Sequence, residues 1–276
     1  MIKNQNKYDV CIVGSGPAGA FAASELSRNG KKVVILEAGN DAVDRSLNNI
    51  IDLEQSDILD DIDIGLSNQV AGASNLWGGG LVRYNRIDFI KRESFNINGW
   101  PIKYEEILSY YKRVDKYLNL NGSVDLSSYN SSKLEIREHK VMNHPFNTAS
   151  IIDGSIKLLT NTEALKIDVK NDCSKIESIT CLDKKNDKLK KIYAHQFVLA
   201  SGGINNVRIM LHSFNGLKIN HSFNYSDIGK CISTHPKAEI GRIRLYSSTK
   251  KSYKFLKMNK SNSSYSLHQI GIIDKY

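Results

Sequence analysis

Two short apolar runs separated by a glycine-rich turn lie near the start of the chain. Val10, Ile12 and Val13 precede the turn at 14–19, and four apolar residues at 33–36 lead to Glu37. Short apolar runs bounded by turn residues favour the buried strands of a parallel sheet. We therefore predict a strand, a glycine turn, a helix and a second strand, which together form a βαβ unit.

The next part of the chain is polar and contains one helical pattern. The acidic stretch 41–63 is typical of an excursion with a short helix, and the turn-rich stretch 119–132 is typical of a loop. Between them, apolar residues at helical spacing predict an amphipathic helix from Tyr104 to Leu118.

From 155 to 200 the pattern is that of strands joined by short turns. The predicted strands cover 156–159, 164–170, 176–182 and 190–194. A hairpin turn is expected at 183–187. A further buried strand from Phe197 leads into Gly202-Gly203, and a helix from Asn205 to His212 is expected to follow.

The turn at 14–19 contains the residues that a dinucleotide requires. Gly14 permits a tight turn, Gly16 lets the backbone approach a pyrophosphate, and Gly19 lets the helix pack closely on the strand. Pro17 suits the first helical position, and the helix N-terminus attracts phosphate. Glu37 lies 18 positions after Gly19, near the spacing of about 20 expected for a carboxylate that binds a ribose 2′-OH; it would repel a 2′-phosphate. A glycine-rich turn in an ordinary α/β sheet is the alternative interpretation.

Two later glycine segments extend this hypothesis. Residues 72–80 place three consecutive glycines beside Trp77, which suits either an irregular surface loop or backbone lying flat against a ring system. From the element order we infer that the strand at Phe197 returns beside the first strand. In that arrangement Gly202 and Gly203 also face the dinucleotide.

Composition narrows the class of protein. The 276 residues are 41% hydrophobic and 24% charged, as in ordinary globular proteins, and no apolar run approaches the roughly 18 residues of a membrane span. The first residues contain no apolar export segment, so we expect a cytoplasmic protein. The four cysteines have no metal-ligand spacing and are expected to be free thiols.

The net charge of +9 makes nucleic acid a candidate partner. The lysines are scattered, however, and lack the interleaved aromatic residues of a single-strand binder. A solvated basic face is the favoured interpretation, with no nucleic acid as partner. An anionic substrate or a membrane surface is left as an alternative partner for this basic face.

Together these segments resemble the glucose–methanol–choline oxidoreductases, a family of FAD enzymes. The matching segments, in chain order, are residues 14–19, 36–39, 72–79, 99–102, 198–208 and His235-Pro236. The version Asn-Leu-Trp-Gly-Gly at 75–79 is most similar to the bacterial branch that oxidises sugars and alcohols. The resemblance extends from about Tyr8 to Pro236.

The resemblance implies an α/β fold, with a Rossmann-like FAD/NAD(P)-binding domain that carries an antiparallel β excursion and a helical insertion. The expected domains are a discontinuous FAD-binding domain at 1–236, with an insertion at about 85–150, and the start of a truncated substrate domain at 237–276. The family's catalytic histidine lies in a C-terminal block that these residues do not match. We therefore expect no catalytic residue and no metal site here.

The resemblance also carries cofactor roles to individual positions. Residues of the first turn and Glu37 would hold the ADP half of FAD, residues 72–79 would follow the pyrophosphate and flavin, and Ala164 would approach the adenine through its backbone. Leu76 stands where some relatives have a histidine that tethers the flavin, so a non-covalent FAD is expected. The complete set is Gly14, Gly16, Pro17, Ala18, Gly19, Glu37, Ala38, Gly72, Ser74, Asn75, Leu76, Trp77, Gly78, Gly79, Ala164, Ala200 and Gly202.

The implied activity is oxidation of a CH–OH group in a sugar, polyol or other alcohol by hydride transfer to FAD. A separate C-terminal half or an electron acceptor is the expected partner. The alternative is a non-catalytic nucleotide-binding remnant. An NAD-dependent dehydrogenase is disfavoured, because the segments at 72–80 and 198–208 have no natural place in one.

Overall fold

The computed structural model describes residues 8–40, 67–77, 79–84, 86–120, 134–142, 146–170, 174–217, 225–230, 259–260 and 264–272. The predicted excursion at 41–63 lies outside these ranges, as does the predicted loop beyond residue 120. The chain divides into two units. Unit 1 comprises residues 1–77 and 146–238, and unit 2 comprises residues 78–145 and 239–276.

The βαβ unit predicted at the start of the chain is present in unit 1. Strand β1 spans Tyr8–Val13, helix α1 spans Pro17–Arg28 and strand β2 spans Val33–Leu36. The two strands are parallel and pair from Val10 with Val33 to Val13 with Leu36. All four residues of β2 are buried, as expected of a strand covered on both faces.

The remaining elements of unit 1 complete a six-stranded sheet. They are β5 (Lys157–Leu159), β6 (Thr162–Val169), β7 (Ile176–Asp183) and β8 (Lys188–Leu199), with the short helix α3 (Thr148–Ile151) and helix α4 (Gly203–Phe214). The strand order is β5-β2-β1-β8-β7-β6. The first four strands are parallel, whereas β8, β7 and β6 pair antiparallel.

Strand β8 confirms one prediction and corrects another. It lies parallel to β1, with Val13 opposite Leu199, so the returning strand is beside the first strand as inferred. The predicted break between Ala194 and Phe197 was wrong, because β8 is a single strand of 12 residues. Its first half pairs with β7 and its second half with β1, so the backbone stays hydrogen-bonded where one partner replaces the other.

Helices α1 and α4 cover opposite faces of the sheet. Alternate side chains of β1 point to each face. Cys11 and Val13 belong to the cluster that includes Ile209 of α4, whereas Val10 and Ile12 pack in the cluster that includes Ala23 of α1.

Two of the four cysteines lie in the described part of unit 1. Cys11 and Cys181 are both free and buried. Burial raises the pKa of the Cys11 thiol and raises that of Cys181 to about 12, so both stay protonated near neutral pH. Cys173 and Cys231 lie outside the described residues.

Unit 2 contains the predicted amphipathic helix and a small sheet. Helix α2 spans Tyr104–Tyr117. The strands β3 (Gly80–Leu81), β4 (Leu134–Met142), β9 (Asn259–Lys260) and β10 (Ser264–Ile272) form an antiparallel sheet in the order β3-β4-β10-β9. Aromatic rings surround the start of α2, where Phe89 lies 5.1 Å from Trp100 and 5.7 Å from Tyr104 between ring centroids. Among the described residues, no helix is long and apolar enough to cross a membrane.

Candidate dinucleotide-binding site

Three parallel strands of unit 1 end together, and the predicted site residues follow them. Val13 is in register with Leu36 of β2 and with Leu199 of β8. The backbone continues this pairing by one bond on each side, since the Gly14 N–H donates to the Leu36 carbonyl at 2.8 Å and the Ala200 N–H donates to the Val13 carbonyl at 2.8 Å. In open α/β sheets, ligands bind in the crevice beyond such carboxyl ends.

Two glycines of the first turn are required by the protein itself. Gly14 has φ +100°, and a Cβ placed there would lie 2.6 Å from the Ala200 carbonyl oxygen. A Cβ at Gly19 would lie 2.0 Å from the Gly14 carbonyl oxygen. The structure therefore shows the tight turn at Gly14 and the close approach of α1 at Gly19 that the motif predicts.

Gly16 differs from these two glycines, because neither backbone geometry nor packing requires it. Its φ of −62° and ψ of 178° are open to any residue, and among the described residues a Cβ there would meet only the Ala71 carbonyl oxygen, at 3.7 Å. Helix α1 begins at the next residue, Pro17, without a side-chain cap or an acidic residue in its first turn. This open helix start, with the N–H groups of Ala18 and Gly19, fits a phosphate group.

Glu37 lies directly after β2, and its carboxylate is engaged within the protein. The side chain is 5% exposed. Oε2 accepts the Ser15 hydroxyl at 2.6 Å and the Ser15 N–H at 3.1 Å, while Oε1 accepts the Gly39 N–H at 2.9 Å. Burial raises the pKa of the carboxyl, and these hydrogen bonds oppose that rise. A hydrogen bond that a ribose hydroxyl donates to Glu37 stays a prediction.

Ser15 is a site residue that the sequence analysis missed. It is fully buried, and its hydroxyl, which donates to Glu37, accepts the Ala71 N–H at 3.2 Å. Its carbonyl accepts the Thr148 hydroxyl at 2.7 Å. Ser15 therefore connects the first turn to the end of β2, to the segment 67–77 and to α3. A serine between two glycines gives no signal of this role in the sequence.

The second glycine-rich segment forms a short 3₁₀ turn over Gly72–Asn75 beside the first turn. A Cβ at Gly72 would lie 3.7 Å from the Gly16 Cα. The Ser74 hydroxyl donates to the Ala71 carbonyl at 2.6 Å, and the Asn75 amide donates to the carbonyls of Val70 and Gly72 at 2.9 and 3.0 Å. These hydrogen bonds therefore fix the conformation of the turn.

Ala71, directly before that turn, has a strained backbone. It has φ 74°, a left-handed conformation that glycine adopts without cost, and it is buried with 3% exposure. Its conformation could not be predicted from the sequence, because alanine carries no signal of positive φ. Strain of this kind is often kept at binding sites.

The turn after β8 is held by hydrogen bonds to one side chain, that of Asn206. The Asn206 amide oxygen accepts the Ser201 N–H at 3.0 Å and its hydroxyl at 2.7 Å, which fixes the backbone where α4 begins. Gly202 has φ 82°, and no atom of the described residues lies within 4 Å of a Cβ placed there.

The structure brings most of the predicted site residues together and separates a few. At the carboxyl edge of the sheet lie Gly14, Gly16, Pro17, Ala18, Gly19, Glu37, Ala38, Gly72, Ser74, Asn75, Ala200 and Gly202. The next two residues after the 3₁₀ turn, Leu76 and Trp77, are 42% and 38% exposed. Ala164 lies within β6 with its side chain in the core, so only its backbone is available. Gly79 belongs to unit 2, and Gly78 lies outside the described residues.

The fold and the site define a Rossmann-like FAD-binding domain. Residues 7–132 match the model of a family described as FAD binding domain. The chain is similar to 2-methyl-1,2-propanediol dehydrogenase of Mycolicibacterium austroafricanum, with 28% identity over 151 residues, 47% of this chain and 27% of that protein. It is also similar to 6‴-hydroxyparomomycin C oxidase of Streptomyces lividus, with 27% identity over 128 residues, 42% of this chain and 23% of that protein.

Solved structures align with part of the chain. Pyridoxine 4-oxidase from Mesorbium loti aligns with a TM-score of 0.46 and 16% identity, covering 75% of this chain and 52% of that chain. The family resemblance predicted from the sequence is confirmed, since the N-terminal portion of the chain is similar to glucose–methanol–choline oxidoreductases. The predicted cofactor, FAD, is confirmed as well. The matched region spans about a quarter of the length of the two curated relatives above.

Proposed function

We propose that this chain supplies the FAD-binding part of a glucose–methanol–choline type oxidoreductase that oxidises a CH–OH group of a sugar, polyol or other alcohol. The observation that carries the proposal is the space at Gly16. The described part of the chain neither strains nor fills that position, which faces both an uncapped helix start and the Gly72 backbone. Bound FAD supplies the hydride acceptor for the alcohol carbon.

In this proposal the chain binds and orients the cofactor. The N–H groups at the start of α1 receive the pyrophosphate, and the helix dipole favours its negative charge. The Gly72 segment holds its backbone against the cofactor through the Ser74 and Asn75 hydrogen bonds. Leu76 offers no nucleophile for a covalent link to the flavin, which supports a non-covalent FAD.

The proton of the alcohol requires a base, and the two histidines described in unit 1, His195 and His212, lie away from the carboxyl edge. His195 precedes the end of β8 by four residues, about 13 Å of strand. His212 follows the start of α4 by nine residues, about 13.5 Å of helix. We assign no catalytic residue among the described residues. We propose that the base comes from a C-terminal half, in the same or a separate polypeptide.

The second candidate is a chain that binds FAD without turnover. It is favoured by the same separation of His195 and His212 from the carboxyl edge. The cytoplasmic location and the boundaries at 236 and 237 stay predictions from the sequence.

One experiment tests the proposal and separates the two candidates. The 276-residue chain is loaded with FAD, and the oxidised flavin absorbance is followed anaerobically after addition of sugars and primary or secondary alcohols. The assay is repeated with a C-terminal segment from a histidine-containing relative supplied as a separate chain. Bleaching that depends on alcohol supports the oxidoreductase. FAD binding without bleaching under both conditions supports the second candidate, and absence of FAD binding contradicts both.

A further inference from the structure

The segment that leads into the Gly72 turn contains a buried side chain without a hydrogen-bond partner. Gln69 is 2% exposed, and its Oε1 atom is buried and accepts no hydrogen bond from the residues that the structure describes. The backbone carbonyl of Gln69, in contrast to its side-chain oxygen, has a partner, since it accepts the Gly72 N–H at 2.8 Å. A buried polar group normally has a partner, so an unpaired amide oxygen at a binding site indicates a group that the ligand supplies.

We infer that the side-chain amide of Gln69 binds the adenosine half of FAD, with Oε1 as acceptor for a ribose hydroxyl or for the adenine amine. The inference rests on FAD as the cofactor. It adds a residue that neither the glycine motif nor the resemblance assigns.

The backbone of the segment places Gln69 beside the end of β2. Gln69 forms a parallel bridge with Asn40, and the Val70 N–H donates to the Asn40 carbonyl at 3.0 Å. The preceding residue, Asn68, lies so close to Gly39 that a Cβ on Gly39 would be 1.8 Å from the Asn68 carbonyl oxygen. Gly39 in turn donates its N–H to Glu37. Gln69 is therefore anchored next to the carboxylate expected to bind the ribose.

The chemistry of the free atom selects the part of FAD that it binds. An acceptor requires a donor, and the pyrophosphate has only acceptor oxygens. The adenosine half has three kinds of donor, namely the 2′-OH, the 3′-OH and the adenine amine. The Glu37 oxygens already accept three protein N–H or O–H groups. A second acceptor beside them gives the adenosine a partner that the protein leaves free.

The test compares ligands that differ by one donor. ADP, 2′-deoxy-ADP, 3′-deoxy-ADP and IDP are used to displace FAD from the full 276-residue chain, and the released flavin is measured by its fluorescence. IDP lacks the adenine amine. In the wild-type chain we expect one analogue to bind about 5-fold more weakly than ADP, the effect of one neutral hydrogen bond. In Gln69→Leu, ADP should weaken by a similar factor and the discrimination against that analogue should disappear.

Controls separate ligand contact from a general loss of structure. A merely structural role weakens all four ligands equally and leaves their ratios unchanged, which overturns the inference while FAD binding stands. Gln69→Met, which keeps the length of the side chain without the acceptor, replaces Gln69→Leu if the latter does not fold. Ser213→Ala is the control: it removes a buried hydroxyl near the end of α4 and should leave the ratios of the four ligand affinities unchanged. A wild-type chain that binds neither FAD nor ADP contradicts the cofactor assignment itself.

Discussion

The hydrogen bond between Ser15 and Glu37 stabilises the meeting point of three segments, and Ser15→Ala removes it. The lost bond is buried, 2.6 Å long and made to a carboxylate, which corresponds to about 1.5–3 kcal/mol. The same change leaves the Ala71 N–H without its acceptor, which costs about 1 kcal/mol more. We therefore expect Ser15→Ala to lower the free energy of unfolding by about 3 kcal/mol near neutral pH.

The dependence of this loss on pH identifies its cause. Burial raises the folded-state pKa of Glu37 above its ordinary value of 4.5, so the folded chain binds this proton more tightly than the unfolded chain. Stability contributed by that proton is present below pH 4.5 and is lost as pH rises through the folded pKa. The Ser15 hydroxyl limits the loss by favouring the ionised form. The cost of Ser15→Ala should therefore be larger above the folded pKa than below pH 4.5.

Urea unfolding of wild-type and Ser15→Ala apoprotein at several pH values measures this difference. Ser213→Ala is the matched control, because its buried hydroxyl contacts only backbone groups, the Ile167 N–H and the Ile209 carbonyl. Its cost should not change with pH. A cost of Ser15→Ala below about 1 kcal/mol, or one that is equal at all pH values, would refute the role assigned to the Ser15–Glu37 bond.

Two further substitutions test neighbouring parts of the site. Ala71→Gly should raise the free energy of unfolding by about 0.5–1 kcal/mol, because relief of the positive φ outweighs the added chain entropy; urea unfolding that shows a loss would contradict the strain. Glu37→Ala should weaken FAD binding roughly 10- to 150-fold through loss of a charge-assisted hydrogen bond, as measured by flavin fluorescence titration. Unchanged FAD affinity would remove Glu37 from the cofactor site.

The parts of the fold that depend on local pattern could be predicted from the sequence. The βαβ unit, helix α2 and the hairpin at 183–187 each follow from periodicity or turn residues, and the structure contains them. The continuity of β8 could not be predicted in this way. It depends on two partner strands, since β7 pairs with β8 up to Tyr193 and β1 pairs with β8 from Ala194 onward. This pairing is set by the whole sheet.

The same distinction holds for the site. The roles of glycines can be predicted from the sequence because their spacing is tied to backbone geometry, so Gly14, Gly16 and Gly19 could be assigned separate roles. Ser15 and Gln69 could not be found, since their importance comes from partners made or missing after folding. The strand at 134–142 was missed as well, because it pairs with β10, more than a hundred residues further along the chain.

The most direct test of the cofactor site is FAD binding by wild-type and Gly16→Val protein, measured together with the unfolding free energy of each apoprotein. Valine fits the extended backbone at residue 16, and its Cβ meets no atom of the described residues closer than ordinary contact. We predict that Gly16→Val folds with nearly wild-type stability and loses FAD binding, because its side chain fills the space of the pyrophosphate. A Gly16→Val protein that folds normally and binds FAD as tightly as wild type would contradict it.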